Sequence, residues 1–151
     1  MAVMDWTAPV STALGGFISV ISVLVAHRAQ WAKEVKKQRR EDLRTACVQF
    51  LAAVTQAREQ IHRAGRDGNS EEKLRRAQDA LTDHDVFPAR IQLHLVAPPD
   101  LAEMSRELVH LLIGYRDTVT SGEPHQEAEL AFTNHRNAVT QAMQTALSDV
   151  Q

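Results

Sequence analysis

The most constraining feature of the sequence is a run of 19 residues without a formal charge, from Ala8 to Ala26. As an α-helix this run is about 28 Å long, close to the roughly 30 Å hydrocarbon core of a bilayer. Pro9 stands near its start, where a helix tolerates a missing backbone N–H. Trp6 and Trp31 flank it, as is typical of indoles at the two membrane–water interfaces. The sequence therefore predicts a transmembrane helix over residues 8–26.

Three other interpretations of the run are a signal peptide, an interfacial helix and a buried helix of a soluble bundle. A secretory signal peptide normally begins with positive charge, whereas "MAVMD" supplies only the terminal amine and an acid. An interfacial helix needs a strongly polar face, which the run lacks. A helix buried in a soluble bundle stays open as an alternative, but it does not explain why every face of the run is apolar.

Positive charge is concentrated directly after the apolar run. Residues 27–44 contain seven basic and three acidic residues, while residues 1–26 contain no Lys or Arg. Because Lys and Arg favour the cytoplasmic side of a span, we expect residues 1–7 outside the plasma membrane and everything after His27 in the cytoplasm. Residues 27–42 are predicted to form a basic juxtamembrane stalk on anionic lipid. The residues assigned to the membrane interface are Trp6, Arg28, Trp31, Lys33, Lys36, Lys37, Arg39 and Arg40.

Small residues follow one face of the predicted span at spacings of four or three. They are Ser11, Gly15, Ser19, Ser22 and Ala26. Such a stripe lets two helix backbones approach closely in lipid, so self-association into a homodimer is one expectation. The alternative is that these residues have no partner, since small residues are common in spans.

Residues 43–151 have the periodicity of a cytoplasmic antiparallel bundle of about four helices. Apolar positions of the first helix alternate by four and three, as in coiled coils: Leu43, Cys47, Phe50, Val54, Ala57 and Ile61. "AGRDGNS" predicts a turn, and Pro99 and Asp100 predict the start of a helix that ends at Gly122. Pro124 is predicted to start the last helix. The fold class is therefore all-α, with the transmembrane helix continuing into the stalk helix and the bundle.

Residues 85–97 give a mixed signal. Ile91, Leu93 and Leu95 alternate with polar residues, a period that is typical of a strand. A lone strand in a helical chain would leave backbone groups unpaired, so we predict a helix that is kinked or restarted near Pro88. "TDHD", at residues 82–85, is interpreted as a cap or turn.

No catalytic or metal-binding constellation is predicted. Glu59 with His62 and Glu107 with His110 form two Glu-x-x-His pairs, the ligand motif of di-metal helical bundles. At 100° per residue all four point away from the apolar faces, so they are interpreted as solvated surface, and no metal or cofactor is expected. Cys47, the only cysteine, lies on the apolar face, where a thiol behaves as a small hydrophobe.

The arrangement as a whole resembles small, single-pass, membrane-anchored helical proteins of high-GC Gram-positive bacteria. The resemblance rests on the span, on "HRAQWAKEVKKQRREDLR" and on "ARIQLHLVAPPDLAEMSRELVHLL". It implies location and fold and brings no active-site residues. We expect a membrane-tethered interaction or scaffold module with an unidentified protein partner and no catalytic activity. The alternatives are a sensory or regulatory element that signals through the stalk and, more remotely, a membrane-bound enzyme; nucleic acid is not an expected partner.

Overall fold

The structure is a computed structural model that describes the backbone of residues 7–67 and 70–149 and the side chains of residues 30–66 and 71–149. The described residues form five helices: α1 (Thr7–Asp67), α2 (Ser70–Asp83), α3 (Val86–Val96), α4 (Pro99–Ser121) and α5 (Gln126–Asp149). They contain no strand, so the all-α fold class and the helix over residues 85–97 are confirmed. The chain divides into two compact units, residues 1–38 and residues 39–151, and the helical bundle is the second unit.

The predicted span lies in a part of α1 whose side chains are not described. Among the residues with described side chains, no helix is long and apolar enough to cross a bilayer. Residues 8–26 lie outside them, so the span stays a prediction. The same holds for the stripe of Ser11, Gly15, Ser19, Ser22 and Ala26 and for Trp6 and Arg28. The other residues assigned to the membrane interface are all exposed: Trp31, Lys33, Lys36, Lys37, Arg39 and Arg40.

The core of the bundle is made of the apolar positions that recur along each helix. On α1 all six predicted core residues are buried, from Leu43 to Ile61. The buried residues of α4 and α5 include Leu101, Leu108, Leu112, Tyr115, Val119, Phe132, Val139 and Met143. On α2, Ala77, Ala80 and Leu81 are buried, whereas Leu74 is 40% exposed although it lies only about 20° from Leu81 around a helix of 100° per residue.

The break between α2 and α3 falls at His84 and Asp85 rather than at Pro88. Asp85 adopts a left-handed conformation with φ 53°, and its N–H donates to the Thr82 carbonyl at 3.1 Å. Its own carbonyl accepts the first helical hydrogen bond of α3, from the Ala89 N–H at 3.0 Å. Pro88 is the third residue of α3, where its missing N–H has no intrahelical partner to lose. The restart is therefore confirmed, three to four residues earlier than the proline.

Gly122 ends α4, and a short loop leads from it to the start of α5. Gly122 caps α4 in the left-handed region with φ 77°, which confirms the predicted helix end. Helix α5 begins at Gln126, two residues after the predicted Pro124. The His125 carbonyl, directly before α5, accepts the first helical hydrogen bond, from the Glu129 N–H at 2.9 Å.

Replacement of Phe50 tests the core of the bundle. Phe50 is fully buried, and Phe50→Ala should lower the free energy of unfolding by about 3–5 kcal/mol through lost burial and a residual cavity. Val48 is two residues away and 62% exposed, so Val48→Ala should change it by less than about 0.5 kcal/mol. Urea denaturation followed by circular dichroism measures both variants. Equal changes in the free energy of unfolding for the two variants would contradict the burial of Phe50 and the exposure of Val48.

Candidate functional site

Helix α3 carries apolar side chains on two opposite faces. One face, with Val86, Ala89 and Leu93, is buried in the core. On the other face Phe87, Ile91 and Leu95 are 42%, 53% and 76% exposed. Residues four apart lie about 40° apart around a helix, so these three side chains form one stripe. The strand-like alternation in the sequence thus arises from a helix that has one buried and one exposed apolar face.

A groove between α3 and α4 runs beside this stripe. It has a volume of about 210 Å³ and is lined by Arg90, Ile91, His94, Ala102, Glu103 and Arg106. Arg106 pairs with Glu103, but the Nε of Arg90 is buried and has no hydrogen-bond partner among the described residues. A buried N–H without an acceptor costs about 1–3 kcal/mol. We call Phe87, Arg90, Ile91 and Leu95 the α3 surface.

Other exposed apolar residues of the described bundle differ from this stripe. Val48 on α1 and Leu130 on α5 are as exposed as Ile91, but neither has another exposed large apolar residue one turn away. Isolated apolar residues are common on protein surfaces, whereas contiguous ones mark interaction sites. The stripe of α3 is therefore the surface of the bundle best suited to binding another molecule.

A cluster of polar side chains lies where α1, α4 and α5 meet. The Nδ1 of His62 is 3.1 Å from the hydroxyl of Tyr115, and the Tyr115 and His125 rings meet edge-on with centroids 6.0 Å apart. His62, His125 and Glu129 are half-buried, and one ligand atom from each lies within 4.8 Å of the other two. We call His62, Tyr115, His125 and Glu129 the His62 cluster. Two imidazoles and a carboxylate so placed are able to bind a metal ion.

Burial and the neighbouring carboxylates raise the pKa of the Tyr115 phenol in this cluster. Burial raises the pKa of the Tyr115 hydroxyl, Glu129 and Glu59 raise it further, and Arg58 opposes them. Tyr115 is therefore a hydrogen-bond partner and not a base at neutral pH. Arg58 forms an ion pair with Glu129, and its Nη1 lies 3.5 Å from the Glu59 Oε2.

Sequence reasoning missed the His62 cluster. It placed His62 on the solvated side of its helix, which is wrong, because His62 is half-buried and bonded to Tyr115. Glu107 and His110 are exposed, as interpreted. The one signal present in the sequence is the spacing of four between His125 and Glu129, which puts both residues on one face at the start of α5.

The turn between α2 and α3 is attached to α1 through Gln60. The amide of Gln60 donates from Nε2 to the Asp83 Oδ2 at 2.9 Å, and its Oε1 lies 2.7 Å from the Nε2 of His84. The Nε2 also contacts the Arg76 carbonyl at 3.1 Å. The interpretation of "TDHD" as a turn is confirmed, and His84 is held there by an amide. His94 is exposed.

Comparison with known proteins adds no assignment to these features. No family model matches the chain, and no curated protein or solved structure matches it. The resemblance to small membrane-anchored proteins therefore stays an expectation from the sequence, and the two sites are interpreted from their own chemistry.

The buried thiol of Cys47 generates a pH-dependent prediction. Burial raises the pKa of Cys47 from 9.0 to about 11, so the folded chain keeps a proton that the unfolded chain releases. Stability is therefore full below pH 9 and falls by up to about 3 kcal/mol as the pH rises through 11. Urea denaturation between pH 7.5 and 11 should show a shallower decline for Cys47→Ala than for the wild type. An identical alkaline decline in both proteins would show that the Cys47 thiol does not cause the loss of stability.

Proposed function

We propose that the protein is a membrane-tethered interaction module that binds an amphipathic helix of another protein on its α3 surface. The observation that carries the proposal is the stripe of Phe87, Ile91 and Leu95, which the bundle leaves exposed beside a groove. Helix recognition uses apolar side chains spaced by three or four residues, the spacing that this stripe presents. Binding at such a surface requires no catalytic step.

The chemistry of the partner follows from Arg90. Arg90 is half-buried at the edge of the stripe and its Nε has no described acceptor, so a partner carboxylate that reached the guanidinium would form a charge-assisted hydrogen bond. Arginine and aromatic residues also dominate the binding energy of many interfaces. The partner helix therefore carries an apolar stripe with an acidic residue beside it.

The tether in this proposal is supported by the sequence. The uncharged run of residues 8–26 has the length of a span, and the basic residues that follow it favour the cytoplasmic side. Lys33, Lys36 and Lys37 are exposed on α1, where they are accessible to anionic headgroups. With this topology, residues 43–151 face the cytoplasm and present α3 to cytoplasmic partners.

Substitutions on the α3 surface test the partner assignment. A photo-crosslinker at position 91 of the full chain, used in intact cells, should label a peptide with an apolar stripe and an adjacent Asp or Glu. Leu95→Asp and Arg90→Glu should each weaken binding to that partner about 30-fold or more, because both place a charge in a desolvated contact. Leu130→Asp is the matched control, since Leu130 is 61% exposed on α5, and it should bind like the wild type.

A charge exchange makes the same test specific. Arg90→Glu should recover binding when the acidic residue of the partner is changed to Lys, as measured by calorimetry in mild detergent. Crosslinks from position 91 only to a second copy would assign the surface to self-association and overturn the proposal. Equal loss of binding in Leu130→Asp and in the α3 variants would overturn it as well.

Alkaline carbonate extraction tests the tether. The chain should stay in the membrane pellet, because burial of about 20 apolar residues in lipid does not depend on charge. Deletion of residues 8–26 should release it into the supernatant. Replacement of Lys36, Lys37, Arg39 and Arg40 by Gln should leave it in the pellet, since headgroup attraction alone does not hold a span. Release of the unaltered chain by carbonate would show that no span is present.

A further inference from the structure

We propose that His62, His125 and Glu129 form a binding site for one Zn²⁺ ion that links α1 to the start of α5. One ligand atom from each residue lies within 4.8 Å of the other two, and all three residues are half-buried. Zinc accepts imidazole nitrogen and carboxylate oxygen, and it binds to three protein ligands with a water in the fourth position. The site is independent of the α3 surface and of the membrane tether.

The backbone at the start of α5 fixes the relative positions of two of the ligands, His125 and Glu129. The His125 carbonyl accepts from the Glu129 N–H at 2.9 Å, so the two residues are joined by a helical hydrogen bond. Their spacing of four places both side chains on one face, as in zinc sites built on a single helix. His62 approaches the same point from α1. Tetrahedral ligands at 2.0–2.1 Å from zinc are about 3.3 Å apart, so rotation of the half-buried side chains closes the remaining gap.

Tyr115 holds the imidazole of His62 in place. Its hydroxyl lies 3.1 Å from the Nδ1 of His62, and the tyrosine itself is fully buried in the core. Metal-binding histidines almost always donate their other ring N–H to a neighbouring group. When Nδ1 donates to the phenol oxygen, Nε2 carries the lone pair that an ion requires.

Arg58 is the group that competes with the ion. It forms an ion pair with the Oε1 of Glu129 and therefore places a positive charge beside the proposed zinc ligand. An ion that binds Glu129 must share the carboxylate with the guanidinium or displace it. Removal of this charge should strengthen metal binding, whereas in a cluster that only holds helices together it would remove an ion pair between α1 and α5 and lower stability.

Titration with Zn²⁺ alone tests the site in the metal-free full chain in mild detergent. Competition with a chromophoric chelator should show one ion per chain, and Co²⁺ in place of zinc should give the visible absorption of a four-coordinate centre. His62→Ala and His125→Ala should each weaken binding more than Tyr115→Phe, which should weaken it about tenfold as an outer-shell change. Arg58→Gln should tighten binding. His110→Ala is the control, because His110 is exposed on α4, and it should bind like the wild type.

The outcomes separate a zinc site from a purely structural cluster. Loss of binding in both ligand variants with retained far-UV circular dichroism supports the site, as does tighter binding in Arg58→Gln. His125 lies outside the core in the loop before α5, so its replacement leaves the buried apolar residues unchanged. No stoichiometric zinc binding by the folded wild type would overturn the proposal. Binding that survives both His62→Ala and His125→Ala would overturn it too, because it would have to come from other residues.

Discussion

The bundle depends on the burial of one face of α1, and that face also decides where the polar groups of α1 go. Ile61 is completely buried, which fixes the rotation of the helix at this level. At 100° per residue, Arg58 and His62 then lie about 60° and 100° to one side of Ile61, and Gln60 lies about 100° to the other. Arg58 and His62 accordingly contact Glu129 of α5 and Tyr115 of α4, while Gln60 contacts the turn between α2 and α3. All three of these polar contacts of α1 are thus consequences of apolar packing.

The features that the sequence predicts well are those determined within one or two helical turns. The core of α1, the start of α4 at Pro99 and its end at Gly122 follow from local periodicity and from the conformational freedom of glycine. The position of the α2–α3 break was predicted less well. A proline limits only the preceding turn, and the chain uses a left-handed Asp85 to start α3 before Pro88. Periodicity also does not show that Leu74 is exposed while Leu81, on the same face of α2, is buried, because that depends on the neighbouring helices.

The candidate sites required information that lies outside any single helix. The α3 surface is visible in the sequence only as apolar alternation, and the choice of which half is buried is made by α4 and α2. The His62 cluster draws on α1, α4 and the start of α5, and the periodicity of one helix does not show which residues of the other helices meet it. His62 itself lies at the edge of the apolar face, where the angle alone does not distinguish solvent from a neighbouring helix. Its partner Tyr115 is buried in the core, and the contact with the Tyr115 hydroxyl turns His62 from solvent toward α4.

Helix α4 contributes to both proposed sites but gives no reason to couple them. Ala102 lines the groove beside the α3 surface, and Tyr115 belongs to the His62 cluster. These residues are about 20 Å apart along the helix axis at 1.5 Å per residue. A ligand at one site changes affinity at the other only if it shifts an element between two arrangements of different affinity. Tyr115 and the residues around it are buried in one close-packed core, which supplies no such alternative. Zinc at the His62 cluster would therefore raise the stability of the bundle by mass action while leaving partner affinity at α3 unchanged.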